Sequence, residues 1–186
     1  TALLHTLRVV ERRAALTRWA LALAVATFAL TLLGAFVTRS GWFTSVHSFT
    51  RSTIGPAFLG LLAAVVLGAG ALFAVRARRF AVGPAPGAAL SKESSLLAAD
   101  AVLLGFTCVV LVGTMLPLVI EALDGRKVAV GVGYFNRLAA PAALLTLVLM
   151  GVAPALPWGA RDLGALWRGL RAPLGAAVAV GLVSGL

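Results

Sequence analysis

Only two histidines occur in these 186 residues, and each stands where an imidazole nitrogen is poised for metal chemistry. His47 lies in V-T-R-S-G-W-F-T-S-V-H-S-F, residues 37–49, a polar strip between two long apolar runs. If residues 41–52 form a helix in the membrane interface, Trp42, Val46 and Phe49 share an apolar face at i, i+4, i+7. Arg39, Phe43, His47 and Arg51 then step by four along the neighbouring stripe. That stripe offers a donor nitrogen, an aromatic wall and two cations for carboxylates, a set that suits a flat, anionic, metal-centred cofactor. His5 follows Leu3 and Leu4, with Arg8 three positions on. It suits an axial ligand of a b-type haem whose opposite ligand comes from a second helix, with Arg8 or Arg12 near the propionates. A plainer reading stands beside each: a histidine hydrogen-bonded to a neighbouring helix for His5, an interfacial anchor for His47.

Two further side chains invite chemistry. Asp100 is a carboxylate about two turns into an apolar run, where it costs on the order of 2.5–3.5 kcal/mol unless it serves a site or reaches water or an arginine. Cys108 is the one cysteine. In mid-membrane it reads as a buried thiol with little thiolate character. No C-x-x-C-H occurs, so the chain does not itself carry covalent c-type haem. Walker loops, dinucleotide fingerprints, serine elbows and internal repeats are absent from the sequence.

The elements that must position these residues are membrane helices. The chain is 61% hydrophobic and 12% charged, with a mean hydropathy of +1.02. Soluble domains sit near half apolar and a quarter charged. A hydrocarbon core of about 30 Å takes about 20 apolar residues at 1.5 Å rise. Runs at about 19–38, 54–75, 95–120 and 138–158 meet that length, the last interrupted by Pro141, Pro154 and Pro157. Residues 1–10 and 173–186 are apolar but short, and read as partial spans of a larger polytopic protein. The expected fold is therefore an all-α polytopic membrane protein, a single membrane-helix domain over 1–186. It has four full transmembrane helices, truncated spans at both ends and a short interfacial helix. Gly60, Gly68 and Gly70 in the second span are expected to permit close helix packing, and Pro117 to kink the third. Ser91 with Ser94 or Glu93 offers chemistry for a helix start.

A net charge of +10 invites a nucleic-acid reading, but the charges gather at helix ends. Arg8, Arg12, Arg13, Arg18, Arg76, Arg78, Arg79, Lys92, Arg161, Arg168 and Arg171 fall on one side of the membrane. Only Arg39, Arg51, Arg126, Lys127 and Arg137 fall on the other. The positive-inside rule makes the first side cytoplasmic. The partners of these charges are lipid head groups, and no nucleic acid is implied. Segments 39–53 and 121–137 then face outward. His5 lies in the cytoplasmic half of its helix and His47 outside. A full span between them keeps them on the order of 20 Å or more apart, so they serve two sites.

The runs L-T-L-L-G-A-F-V-T-R-S-G and S-V-H-S-F resemble the membrane core of CcmF-type cytochrome c haem lyases. So do A-L-L-H-T-L-R-V-V-E-R-R upstream, S-K-E-S-S-L-L at the third span and V-G-V-G-Y-F-N-R-L before the fourth. The matches fall in order across residues 2–158. The resemblance implies a bacterial inner-membrane protein that takes haem from a periplasmic haem chaperone and joins it to the C-x-x-C-H thiols of an apocytochrome c. Other cytochrome c maturation membrane subunits would be its partners. His5 matches the family's ligand to a resident haem b, and His47 the periplasmic histidine that binds the transferred haem and is the catalytic candidate. Both would bind haem iron. Roles for Arg39, Trp42, Phe43 and Arg51 come from the local pattern alone. The family's tryptophan-rich haem platform and further histidine ligands do not occur in this stretch, so the chain alone is expected neither to complete a haem site nor to catalyse ligation. Trp42-Phe43 replaces smaller aliphatic residues, and Asp100 stands where the family more often has asparagine. Two alternatives remain: a transporter or permease with a substrate path near Asp100, and a structural membrane subunit without cofactor.

Overall fold

Long apolar runs can hide their backbone polar groups from lipid only by closing hydrogen bonds within the segment, and helices follow. The computed structural model describes residues 1–13, 15–39, 54–76, 79–80, 88–159 and 163–185. The helices among them are α1 (Ala2–Arg13), α2 (Thr17–Arg39), α3 (Gly55–Arg76), α4 (Lys92–Asp124), α5 (Val132–Val152) and α6 (Leu163–Ser184), with a 3-10 turn at Ala153–Ala155. Five of them, α2 to α6, are long and apolar enough to cross a membrane. The molecule is an all-helical polytopic membrane protein. Hydroxyls inside the spans are satisfied locally. Thr27, Thr107, Thr114 and Thr146 each donate to the carbonyl four residues back, at 2.7–2.8 Å, as groups without water must.

The chain divides into two compact units, Thr1–Thr6 with Ala85–Leu186, and Leu7–Pro84. In the second unit α2 and α3 pack side by side. Ala22, Val25, Ala26 and Ala29 of α2, at i, i+3, i+4, i+7, face Val66, Ala69, Gly70, Phe73 and Ala74 of α3 across an apolar groove of about 460 Å³. Leu16, with φ 66°, takes the left-handed turn between α1 and α2. At the end of α3, Phe73 stacks on Phe80 with ring centroids 5.8 Å apart. The Phe80 carbonyl accepts from Arg18 at 3.2 Å. Gly60, Gly68 and Gly70 do not act as packing points within this unit, because a Cβ on any of them meets nothing within 4 Å.

In the first unit α4 and α5 pack together. Here a glycine is essential: a Cβ on Gly113 would stand 2.7 Å from Tyr134 and 2.9 Å from Phe135. Ser91 caps α4 by accepting from the Ser94 N–H, as its spacing predicts. Gly125, at φ 67°, closes the helix with its N–H on the Glu121 carbonyl. Thus α4 runs on through Pro117, longer at both ends than 95–120. Within V-G-V-G-Y-F-N, Gly131 is the N-cap and Val132 onward forms the first turn of α5. α5 therefore covers 132–152 instead of 138–158, and Pro154 falls in the 3-10 turn.

The last helix departs from the expected partial span at 173–186. α6 starts at Leu163 and passes through Pro173, giving a fifth helix of spanning length at Leu166–Ser184. Arg168 and Arg171 lie within α6, where such long cations can reach toward the interface. The expected interfacial helix at 41–52 lies outside the described residues.

Candidate functional site

α1 begins with Ala2-Leu3-Leu4, and its first turn presents His5 and Thr6 in succession. Two adjacent helical side chains point about 100° apart, so a single partner must carry two acceptor atoms to hold both. Asp100 does so from α4. Its Oδ1 lies 2.8 Å from His5 Nδ1, and its Oδ2 accepts from the Thr6 hydroxyl at 2.9 Å. Asp100 is eight residues past Lys92, about 12 Å along α4. Both Thr6 and Asp100 are buried. The three side chains belong to the same compact unit.

Asp100 Oδ1 stands at hydrogen-bond distance from Nδ1 while Oδ2 accepts from the Thr6 hydroxyl. In the imidazole tautomer that donates from Nδ1 to an ionised carboxylate, Nε2 carries the free lone pair. The His5 side chain retains 27% of its exposure against 2% for Asp100, so the ring is gripped at one edge and accessible elsewhere. Metal-bound histidines commonly donate their second nitrogen to a carboxylate in this way. Among the described residues, no group of three or more His, Cys, Asp or Glu is placed to hold a metal ion. A haem needs none, since the porphyrin supplies four nitrogens and the protein only the axial positions. The donor set at His5 therefore fits haem.

Of the other residues singled out from sequence, Arg39 ends α2 and is exposed. Trp42, Phe43, His47 and Arg51 lie outside the described residues. Cys108 is exposed on the surface of α4 rather than buried. Asp100, left open between a functional site and a route to water or arginine, engages His5 and Thr6. Both of its oxygens lie within hydrogen-bond distance of these partners. Thr6 escaped the sequence reading altogether, since a hydroxyl beside a histidine carries no signal of a partner 94 residues away.

A second buried carboxylate lies about two helix turns before Asp100, at the start of α4. Glu93 is 1% exposed, and its Oε2 accepts from the Gly159 N–H at 2.8 Å. Beside it the Lys92 N–H donates to the Pro157 carbonyl at 2.9 Å, and Lys92 Nζ sits 5.9 Å from the Trp158 ring centre. These bonds tie the start of α4 to the segment before α6. They anchor the helix that carries Asp100.

A cytochrome c-type biogenesis protein, CycK of Rhizobium meliloti (strain 1021), is 41% identical to this chain over 187 residues, covering 99% of this chain and 27% of its own length. CcmF of Pseudomonas fluorescens is 39% identical over 189 residues, covering 100% of this chain and 28% of its own. The chain belongs to the CcmF/CycK family. A solved member of that family, titled cytochrome c heme lyase CcmF, superposes with a TM-score of 0.63 at 34% identity. The match takes in 100% of this chain and 26% of that one. No family model matches. The chain thus spans about a quarter of the length of the curated CcmF and CycK proteins it matches.

Proposed function

We propose that this chain is a haem-handling membrane segment of a cytochrome c haem lyase. The observation that carries the reading is the grip of Asp100 on His5 Nδ1 at 2.8 Å, which leaves Nε2 for a metal in a chain of the CcmF/CycK family. In this reading His5 would hold the iron of a resident b-type haem. Haem bound there supplies a one-electron couple within the membrane. His47 would bind a second haem in transit, with Arg39, Trp42, Phe43 and Arg51, near it in sequence, as further candidate contacts. A periplasmic haem chaperone delivers that haem, and an apocytochrome c takes it up in company with other maturation subunits of the bacterial inner membrane.

Attachment adds each cysteine S–H of a C-x-x-C-H motif across a haem vinyl group. One C–S bond forms, the hydrogen goes to the neighbouring carbon, and no electrons are gained or lost overall. The chain's own contribution is positioning. Holding the vinyl carbons against two thiols turns an encounter into a near-unimolecular step. The basic loops, by the positive-inside rule, face the cytoplasm and put the His47 segment on the periplasmic side.

The experiment uses the full-length protein expressed with the complete maturation system. His5→Ala removes the stable b-haem spectrum of the detergent-purified protein, and a wild-type spectrum refutes the assignment. His47→Ala keeps that spectrum but blocks capture of chaperone haem. Undiminished cytochrome c assembly by the His47 variant refutes its role.

A further inference from the structure

We infer that Asp100 is a positioning residue that orients His5 and raises its electron donation to bound iron, with Thr6 fixing the carboxylate in place; this rests on the haem reading of His5 given above. A carboxylate inside a membrane span is costly and persists where it has partners and a use. Asp100 has two partners, and they differ in kind. Thr6 donates a neutral hydroxyl bond to Oδ2 at 2.9 Å, which stops the carboxylate from rotating away. His5 meets Oδ1 at 2.8 Å, within the range of charge-assisted hydrogen bonds.

A purely structural tie between α1 and α4 needs no charge. An amide oxygen also accepts an imidazole N–H and is cheaper to bury. What a carboxylate adds is polarisation: it draws the Nδ1 proton toward itself and makes Nε2 a stronger donor. A stronger axial donor favours ferric over ferrous iron and lowers the reduction potential. Burial amplifies the effect, because neither Thr6 nor Asp100 is open to solvent and a low local dielectric strengthens the interaction.

The test compares full-length wild type with Asp100→Asn, Asp100→Ala, Thr6→Val and His5→Ala, all purified in detergent. Asp100→Asn keeps the side-chain shape and an oxygen for the imidazole N–H while removing the charge. Its haem content stays within about two-fold of wild type, and its midpoint potential in a spectroelectrochemical titration moves positive. Thr6→Val moves the potential the same way by less. Asp100→Ala leaves His5 unsupported and weakens haem retention about 10- to 100-fold. If Asp100→Ala does not fold, as judged by elution and circular dichroism, the other two variants carry the test. An Asp100→Asn protein with full haem and an unshifted potential overturns the inference. The two readings separate through His5→Ala. Retention of the b-haem spectrum by that variant refutes the site and this inference together. Loss of haem in it, with no shift in Asp100→Asn, refutes this inference alone.

Discussion

Two carboxylates buried within α4 do different things because they meet different donors. Asp100 holds two side chains of α1. Glu93 holds the backbone N–H of Gly159, a residue whose φ of 72° suits glycine. A charged acceptor in so closed a place contributes about 1.5–3 kcal/mol as a hydrogen bond. Glu93→Gln keeps the shape and weakens the bond, so we expect a lower thermal midpoint in detergent with the haem spectrum unchanged below the transition. An unchanged midpoint would show that the bond between Glu93 and Gly159 contributes nothing to stability. Of these two acids, Asp100 was recognisable in sequence as a carboxylate short of a partner, whereas Glu93 read only as helix-start chemistry beside Ser91.

Helix pairing depends on which glycines a neighbour actually reaches. Gly60, Gly68 and Gly70 of α3 look like packing points by composition, yet a Cβ on any of them meets nothing within 4 Å. Gly113 on α4 is the one that α5 approaches, through Tyr134 and Phe135. These two rings meet edge to face at 5.2 Å, and the Tyr134 hydroxyl donates to the Val109 carbonyl. A methyl group at Gly113 must push one ring out of place. Gly113→Ala should therefore cost about 1–3 kcal/mol by overpacking. Gly105→Ala, with nothing within 4 Å on the same helix, should be neutral or stabilising by up to about 1 kcal/mol. Paired thermal melts in detergent check this, and equal effects would refute the close approach. Small residues were legible in sequence; the facing partner of each was not, because helix rotation is set by packing.

Over the whole molecule the unusual quantity is how little each span hides. None of the spanning portion of α3, α5 or α6 is buried within this chain, so their apolar surfaces meet lipid or other segments of the full-length protein. Spans that alternate across the bilayer put the loop around Lys127 and the loop around Arg79 on opposite sides. In a Cys108→Ala background, a cysteine at Lys127 should react with a membrane-impermeant maleimide in spheroplasts, while one at Arg79 should react only after lysis. The reverse pattern would overturn the orientation read from charge. The count of spans also belongs to this scale. The apolar run after Arg171 reads as a partial span at 173–186, yet the helix begins at Leu163 and carries Arg168 and Arg171 within it.

By itself the sequence determined the membrane class, the helical form of the spans, the cap at Ser91 and the family resemblance. These follow from local quantities: apolar run length against bilayer thickness, hydroxyl spacing at a helix start, and ordered motifs. It also marked His5 as a candidate ligand. Only the tertiary structure decided which partner meets His5 Nδ1, a carboxylate 95 residues away. A hydrogen bond between two helices has no periodicity along either. Its existence is set by the rotation and depth at which α1 and α4 meet, and the packing of the folded chain fixes both.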